Sequence, residues 1–380
     1  MNEDSEPDLL ELDGSAGGGQ LLRTALGLSM ATGRAFQMRR VRGSRPTPGL
    51  KPQHLAAVRA AASVCDATVS GDELGSETVT FRPGAPTGGR VEIDIETAGS
   101  VTLAFDALLP VALGLDRPLV VAATGGTDVK WSPTIAHYRR AKLRLLREWG
   151  LFAAVEREQV GFYPAGGGRA TLLLAPSSPS RLERIERGDL EGARIYSTES
   201  ADLADRDVAA RQAANAAESL RNAEIPVVER TISTAETPST GSTATVVLDY
   251  EETVAGFDAL GERGTPAEEV GARVVDAAVS FHRRDSGPDA DSSSDTDSSP
   301  DAGDGAAAPS PANATTSGNT PAVDAHTADQ LVVFLALCGG RVTVPEVTDH
   351  VRTGIDLVAE FGLDVTVIEG SPPTLVAEGH

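Results

Sequence analysis

The sequence predicts an α/β (α+β) fold built from three repeated units, each of two helices and about four strands, with a small inserted α/β domain. Two observations lead to this prediction. A glycine that ends one helix and a proline that begins the next both recur after 81 residues, Gly33 with Gly114 and Pro52 with Pro133. A further helix, followed by a Gly339-Gly340 stop and a strand, comes near the C-terminus. Equal spacing of helix ends and helix starts indicates a duplicated unit.

The first unit starts with a short strand that runs into a glycine turn, Gly17-Gly18-Gly19. From Gln20 onward, apolar residues follow helical spacing until Gly33 ends the helix. A loop rich in arginine, proline and glycine then precedes a second helix, which Pro52 begins. The other elements are predicted as a strand at residues 35–41, the second helix at 53–65, and strands at 78–81 and 90–96.

The later units follow the same order, and two other segments separate them. After the second unit, strand and helix patterns alternate up to residue 278, which predicts the inserted domain. The following residues are mostly Ser, Asp, Ala, Pro and Gly, which cannot bury enough apolar surface to order themselves. We therefore expect repeats 1 and 2 in a large domain at 1–180, the inserted domain at 181–278, a disordered acidic loop at 285–323 and repeat 3 at 324–380.

The segment from Gly14 to Cys65 carries no aspartate or glutamate, although the chain has 55 of them and a net charge of −22. Arginine side chains lying over apolar surface would explain this without a ligand. The glycine turn, however, places bare backbone N–H groups and a helix start next to these cations, an arrangement that binds phosphate. A nucleotide or a phosphorylated polymer is the expected ligand. The basic residues are Arg23, Arg34, Arg39, Arg40, Arg42, Arg45, Lys51 and Arg59, with His54 among them.

The remaining composition narrows the class of protein. Cys65 and Cys338 lie in apolar helical contexts and are predicted to be reduced core residues. The acidic N-terminus lacks an apolar signal core, and prolines and a glycine break the longest apolar run, so we expect a cytoplasmic protein. The acidic composition resembles that of proteins from halophilic organisms. The sequence has neither a Cys/His cluster with ligand spacing nor a GxxxxGK[ST] loop, so metal ligands stay unknown.

Among the six histidines, His350 is the strongest candidate for catalysis. Thr348-Asp349-His350 begins a predicted helix, whose positive end attracts phosphate and disfavours a protonated imidazole. A neutral imidazole can act as a nucleophile; the alternatives are a helix-capping or a buried role. His137 lies inside a helix, where a structural role is expected. The polar run from His326 to Gln330 opens another helix and is suited to bind a base or a ribose.

Motifs along nearly the whole chain carry a resemblance to a known family. In the first unit they are Asp13-Gly14-Ser15, Gly17 to Arg23, Arg42 to Arg45, Pro48-Gly49-Leu50 and Gln53-His54-Leu55. Later matches are Glu73 to Ser76, Phe81 to Gly84, Ala98 to Ser100, Gly125 to Thr127, Gly161 to Gly168, Leu260 to Gly264 and Ala328 to Leu331. In this order they resemble the RNA 3'-terminal phosphate cyclase family.

The resemblance implies an ATP-dependent ligase that converts an RNA 3'-terminal phosphate into a 2',3'-cyclic phosphodiester. In that reaction a histidine attacks the α-phosphorus of ATP, releases pyrophosphate and carries AMP. The AMP passes to the RNA 3'-phosphate, and the neighbouring 2'-hydroxyl then closes the ring. His350 matches the family's nucleophile, in the motif from Asp349 to Ile355. The implied fold has three α/β units similar to the C-terminal domain of translation initiation factor three, with an inserted domain.

The resemblance also assigns binding residues. Nucleotide contacts fall on His326, Thr327, Ala328, Asp329, Gln330, Asp106 and Pro133. Phosphate or RNA contacts fall on Arg23, Arg42, Arg45, Gln53 and His54. ATP, a divalent metal (Mg or Mn) and RNA with a 3'-phosphate are the implied ligands, with no DNA and no membrane. Two positions depart from the family pattern: a glutamate before the glycine turn is Ala16 here, and a glutamine is Asp106.

Two other functions are compatible with parts of this pattern. A catalytically silent, cyclase-like RNA-binding protein of ribosome biogenesis would share the fold. Such relatives lack the histidine, so His350 argues against this alternative, whereas Ala16 and Asp106 leave some room for it. A small-molecule transferase of similar repeat architecture, such as an enolpyruvyl transferase, is disfavoured by the RNA-cyclase motifs.

Overall fold

The computed structural model describes residues 9–283 and 320–379. The first unit is a four-stranded sheet in the order β1-β2-β4-β3, with two helices packed on it. The predicted strand at 35–41 ends at residue 39, because Arg40 and Arg42 take up positive φ angles of 52° and 56° and turn the chain. The elements are β1 Leu10–Asp13, α1 Gly19–Thr32, β2 Phe36–Arg39, α2 Pro52–Cys65, β3 Thr68–Ser70 and β4 Val79–Arg82.

The second unit repeats this topology in the order β5-β6-β8-β7. Its second helix, which the sequence predicts from Pro133, begins as α4 and continues through a π-helical turn at residues 138–142 into α5. Its elements are β5 Gly89–Asp94, α3 Val101–Leu108 (extended by a 3-10 turn to Leu113), β6 Leu119–Gly125, α4 Ile135–His137, α5 Leu143–Glu148, β7 Ala153–Gln159 and β8 Gly168–Leu174.

A strand of the third unit precedes the inserted sheet. β9, Leu182–Arg184, pairs in parallel with residues 340–342, although the predicted inserted domain begins at residue 181. The insertion then forms a sheet in the order β11-β10-β12-β13 with a separate apolar core. The sequence patterns do not predict the last of these strands, β13. The elements are β10 Leu190–Ser200, α6 Val208–Asn222, β11 Val227–Ala235, β12 Ser242–Tyr250, β13 Val254–Leu260 and α7 Ala267–Arg283.

The third unit has the topology of the first two, read as β9-β14-β16-β15. Its other elements are α8 Ala325–Cys338, β14 Gly340–Thr343, α9 Asp349–Glu360, β15 Thr366–Ile368 and β16 Thr374–Ala377. The predicted acidic loop, 285–323, lies mostly outside the described residues. Its last four residues, however, are buried, and Ala322 N donates a hydrogen bond to Thr343 O at 3.0 Å. The loop prediction therefore extends too far toward the C-terminus.

One apolar core joins the three units. Phe36 of the first unit stacks on Phe81, with ring centroids 5.8 Å apart, and meets Phe361 of the third unit at 6.4 Å. Cys65 is buried in this core and Cys338 packs against it. None of the helices in the described chain is long and apolar enough to cross a bilayer. The predicted α/β class with three repeated units is confirmed.

Candidate functional site

A cleft of about 800 Å³ opens where the three units meet. Residues in or next to the first turns of two helical segments from each unit line it: α1 and α2, α3 and α4, α8 and α9. Because helix N-termini carry unpaired N–H groups and a partial positive charge, their convergence favours an anionic ligand. The lining includes Gly18, Gly19, Gln20, Arg23, Arg42, Arg45, Lys51, Gln53, His54, Asp106, Trp131, Pro133, His137, Lys142, Asp258, His326, Asp329, Gln330 and His350.

The glycine turn lets two side chains approach the start of α1. A methyl group at Gly19 would lie 2.0 Å from His54 Nε2, and one at Gly18 would lie 3.3 Å from an Arg45 guanidinium nitrogen. His54 is therefore stacked directly against the backbone at residue 19. This contact explains the glycine at position 19, because no β-carbon fits between the imidazole and the helix start.

His54 is a neutral donor, although the sequence groups it with cations. Its side chain is 3% exposed, and its Nδ1 accepts a hydrogen bond from Lys51 N at 3.2 Å. Burial, followed by the charges of Arg23, Arg42 and Lys51, lowers the pKa of His54 to about 3. The hydrogen bond to Nδ1 assigns the proton to Nε2, the atom that faces the glycine turn.

The three predicted phosphate-binding arginines differ in their surroundings. Arg42 donates hydrogen bonds to Thr47 O and Gly49 O, both at 2.9 Å, so it holds its own loop in shape. Arg45 is exposed, with its guanidinium beside Gly18. Arg23 is half-buried, and desolvation lowers its pKa against the opposing charges of Asp106 and Asp329. All three line the cleft with the acid-free face of the first unit.

Gln53 connects the first unit to the second. Its Oε1 accepts a hydrogen bond from Ser100 N, at the start of α3, at 3.3 Å. The Ser100 hydroxyl in turn accepts from Leu103 N, which caps the helix. The Gln53 side chain therefore fixes two helix starts relative to each other at the rim of the cleft.

Two acidic groups lie at the base of the cleft. Asp106, predicted as a nucleotide contact, forms an ion pair with Lys142 at 2.6 Å, and both side chains are largely buried. Asp329 has a buried Oδ1 atom without a hydrogen-bond partner within the described chain. Burial raises the pKa of Asp329 to about 7, against the opposing charge of Lys142. An unpaired buried carboxyl oxygen is suited to receive a hydrogen bond from a ligand.

The predicted run from residue 326 to 330 is divided by the helical period. His326, Asp329 and Gln330 line the cleft from one face of α8. Thr327 is buried, and its hydroxyl donates to Asp324 at 2.7 Å, which caps the helix. Ala328 is fully buried in the core. The side chains of Thr327 and Ala328 are thus turned away from the cleft, and the nucleotide contacts expected at these two residues stay predictions.

Four histidines line the cleft, and only two of them are exposed there. His54 is buried as described. His137 is buried and lies 3.4 Å from Asp258; burial favours its neutral form, but Asp258 and Asp324 outweigh this and raise its pKa. His326 and His350 are exposed in the first turns of α8 and α9. His350 follows the Thr348 cap, whose hydroxyl accepts from Val351 N at 3.2 Å.

Several lining residues escaped the sequence analysis. Asp258 belongs to the unpredicted strand β13, and it accepts a hydrogen bond from Thr134 N at 2.7 Å, which anchors the inserted domain beside Pro133. Lys142 lies in the π-helical turn, which shifts the helical period, so regular helical spacing does not predict where its side chain lies. Trp131 is 94% exposed with a φ angle of +60°. A rare tryptophan two residues before a predicted contact was a signal that could have identified it.

The residues near the glycine turn do not form a dedicated metal cage. Ala16 has no ligating atom, and the Asp13 oxygens are engaged by Arg40 and by Ser15 N. Among the residues that the structure describes, no group of three or more His, Cys, Asp or Glu side chains is arranged to hold a metal ion. We therefore derive no step through a protein-bound metal.

Comparisons with known proteins agree with the resemblance in the motifs. Residues 15–367 match the RNA 3'-terminal phosphate cyclase family. A Halobacterium salinarum protein named RNA 3'-terminal phosphate cyclase is 42% identical over 367 residues, which cover 94% of this chain and 96% of that protein. Proteins of the same name from Archaeoglobus fulgidus and Pyrococcus furiosus are 36% and 34% identical, and the matches cover 96% and 95% of this chain and 98% and 96% of theirs.

Proposed function

Because the chain belongs to the RNA 3'-terminal phosphate cyclase family, we propose that it converts RNA 3'-phosphate ends into 2',3'-cyclic phosphodiesters at the expense of ATP. One observation carries this proposal. The exposed His350 lines the same cleft as the glycine turn and the Asp329-Gln330 pair, at the convergence of six helix starts. A nucleophile, an anion site and polar base-binding groups thus lie within reach of one bound nucleotide.

The proposed reaction has three steps. A neutral His350 nitrogen attacks the α-phosphorus of ATP; the N–P bond forms, the bond to the bridging oxygen breaks and pyrophosphate leaves. An oxygen of the RNA 3'-phosphate then attacks the same phosphorus, and the N–P bond breaks as AMP moves to the RNA. Finally the 2'-hydroxyl loses its proton and attacks the 3'-phosphorus, which forms the cyclic phosphodiester and releases AMP.

The chain's own residues meet the electrostatic demand of these steps. A 3'-phosphate must approach a nucleotide phosphate, and the arginine forks of Arg23 and Arg45 offset the repulsion. The Nε2–H group of His54 and the backbone N–H groups at the start of α1 are neutral hydrogen-bond donors. They can bind a phosphate oxygen without a change in their own protonation. His326, Asp329 and Gln330 are proposed to bind the base and ribose, with Pro133 packing on the base. We propose that Asp106 acts on the nucleotide indirectly, because its ion pair with Lys142 holds that lysine at the cleft.

A divalent cation would enter with the nucleotide. Mg²⁺ is commonly held by one or two carboxylates and by substrate phosphates rather than by an all-protein cage. Its contribution would be to neutralise phosphate charge. The acidic composition of the chain also leads us to propose a halophilic, cytoplasmic setting, in which RNA and ATP are the partners and neither DNA nor a membrane is involved.

The test is covalent labelling with ATP that carries the label on its α-phosphate, in high salt with Mg²⁺ or Mn²⁺. We expect an acid-labile, hydroxylamine-sensitive label on the wild type and none on His350→Ala. His326→Ala is the matched control, since it removes the other exposed histidine of the cleft. This variant should bind ATP more weakly but still become labelled. A folded wild type that stays unlabelled would support the silent RNA-binding alternative, and label lost only in His326→Ala would reassign the nucleophile.

A further inference from the structure

A second cleft, of about 360 Å³, lies between the second unit and the inserted domain, and five arginines line it. The other lining residues are Ala154, Val155 and Tyr196. A cluster of five arginines is unexpected in a chain whose net charge is −22. The arginines come from the helical segment after Pro133 and from β10, and they are Arg139, Arg140, Arg144, Arg147 and Arg194.

Two of the five arginines are fixed by carboxylates. Arg144 and Arg194 both bond to Asp249, whose side chain is 2% exposed, with the Arg194 Nε to Asp249 Oδ2 distance at 2.5 Å. Arg194 also pairs with Glu229 at 2.8 Å. These ion pairs join the helix of the second unit to the sheet of the inserted domain. They make the wall of the cleft rigid but leave it with less net charge than five arginines would give.

The other three arginines, Arg139, Arg140 and Arg147, pair with no carboxylate within the part of the chain that the structure describes. Arg140 stacks over the Tyr196 ring at 5.0 Å, and Arg147 donates to Ala153 O at 3.0 Å. Burial, followed by the neighbouring charges of Arg139 and Arg144, lowers the pKa of Arg147 against the opposing charge of Glu148, as expected where like charges repel one another. A bound anion would relieve this repulsion.

We propose that this arginine cleft binds backbone phosphates of the RNA upstream of its 3' end, an inference that rests on the function proposed above. One helical segment presents Lys142 to the first cleft and the arginines to the second. The two clefts therefore lie on different faces of this helical segment, whose diameter is ~10–12 Å. This distance corresponds to roughly three stacked nucleotides. An RNA end held beside His350 would reach the arginines with phosphates a few nucleotides upstream.

The position of the cleft, which shares one helical segment with the first cleft, favours RNA phosphates over the carboxylates of an acidic protein. Arginine presents a planar fork that matches phosphate oxygens, and the stacked Arg140 is held in one orientation. The lining also lacks a large exposed apolar side chain, since Tyr196 is 8% and Val155 4% exposed and the exposed Ala154 is small. Binding would be dominated by charge and nearly independent of RNA sequence.

The test compares two fluorescent RNAs with 3'-phosphate ends, a dinucleotide and a dodecanucleotide, by fluorescence anisotropy without ATP over a range of KCl concentrations. The variant is Arg139→Gln/Arg140→Gln/Arg147→Gln, which spares the arginines that hold Asp249. The wild type should bind the longer RNA at least ~10-fold more tightly than the dinucleotide, and the variant should lose this preference. Its slope of log K against log salt should fall by about 2, as expected for three lost contacts to single-stranded RNA.

Arg90→Gln/Arg221→Gln/Arg341→Gln is the matched control, because it removes the same charge from exposed arginines outside both clefts. It should keep the preference for longer RNA. The variant Arg139→Lys/Arg140→Lys/Arg147→Lys should show part of this preference, in contrast to the glutamine variant. The proposal is overturned if the glutamine variant keeps full affinity, if the control loses as much, or if polyglutamate displaces the RNA at equal charge concentration.

Different results would refute the arginine cleft and the cyclase function. A wild type that becomes labelled by ATP but binds both RNAs equally would refute the arginine cleft and leave the cyclase function standing. A wild type that prefers the longer RNA but never becomes labelled would refute the cyclase function, while the cleft would stand as an RNA-binding surface.

Discussion

The ammonium group of Lys142 lies 2.6 Å from a carboxylate oxygen of Asp106, with the two side chains 4% and 14% exposed. Lys142 sits in the π-helical turn of the second unit, and Asp106 lies on α3. Asp106 is also one of the predicted nucleotide contacts. A buried pair is costly to break because one charge is then left without a partner.

Breaking the Asp106–Lys142 pair should destabilise the protein more than replacing it. We expect Lys142→Met alone to lower the free energy of unfolding by about 3 kcal/mol, since it leaves the Asp106 carboxylate buried and unpaired. The double variant Asp106→Asn/Lys142→Met should recover about 2 kcal/mol of this loss. Urea unfolding in high salt measures both. Additive single effects in a double-mutant cycle would contradict the pairing.

Asp329 should make stability depend on pH. Its pKa is raised from 3.8 to about 7 in the folded protein, so its contribution to stability is fully present below pH 3.8 and is lost as the pH rises toward 7. Asp329→Asn, which cannot ionise, should therefore gain stability relative to the wild type between pH 5 and pH 8, by roughly 2.5 kcal/mol. Paired thermal melts at these two pH values test this. A constant difference would show that Asp329 ionises normally.

Gly19 should not tolerate a side chain. In Gly19→Ala the new methyl group would clash with His54 Nε2, whose ring is held by Lys51 N, so we expect AMP labelling to fall by at least ~100-fold. Gly18→Ala is the control, because its methyl group would meet only the movable end of Arg45 at 3.3 Å. A milder loss is expected there. Equal losses in both variants would show that the His54 contact is unimportant.

The two loop arginines should respond differently to truncation. Arg45→Ala should raise the KM for the RNA end by roughly 10-fold or more without changing stability, because Arg45 is exposed in the cleft. Arg42→Ala should also lower the free energy of unfolding, by about 1–2 kcal/mol, since its guanidinium holds Thr47 O and Gly49 O. Steady-state kinetics and urea unfolding separate the two effects. A KM for the RNA end that is unchanged in both variants would contradict an anion site in this loop.

Trp131 should report ligand binding by its fluorescence. It is 94% exposed at the cleft, whereas Trp149, the second tryptophan of the chain, is 3% exposed in the core. A base stacked on Trp131 should quench its emission and contribute about 1–3 kcal/mol to RNA binding. Titration of wild type and Trp131→Phe with RNA tests this. Quenching that persists in the phenylalanine variant would place the RNA elsewhere.

Local patterns in the sequence predicted much of the candidate site. The spacing of Gly33 with Gly114 and of Pro52 with Pro133 indicated the repeated unit, because helix ends and starts depend on neighbouring residues. The absence of carboxylates around Arg23 and Arg45 indicated a basic face that lines the cleft, and the helix start at His350 indicated another cleft residue. The sequence by itself thus determined the repeated architecture, the family and one charged face of the cleft.

Only the tertiary structure decided how distant groups act on one another. β9 joins β14 across the whole insertion, Asp258 reaches Thr134 from an unpredicted strand, and the charge of Lys142 is matched by Asp106. His54 became a neutral donor and Thr327 turned away from the cleft. The physical reason is that burial and long-range pairing set protonation and orientation, and neither depends on neighbours in the sequence.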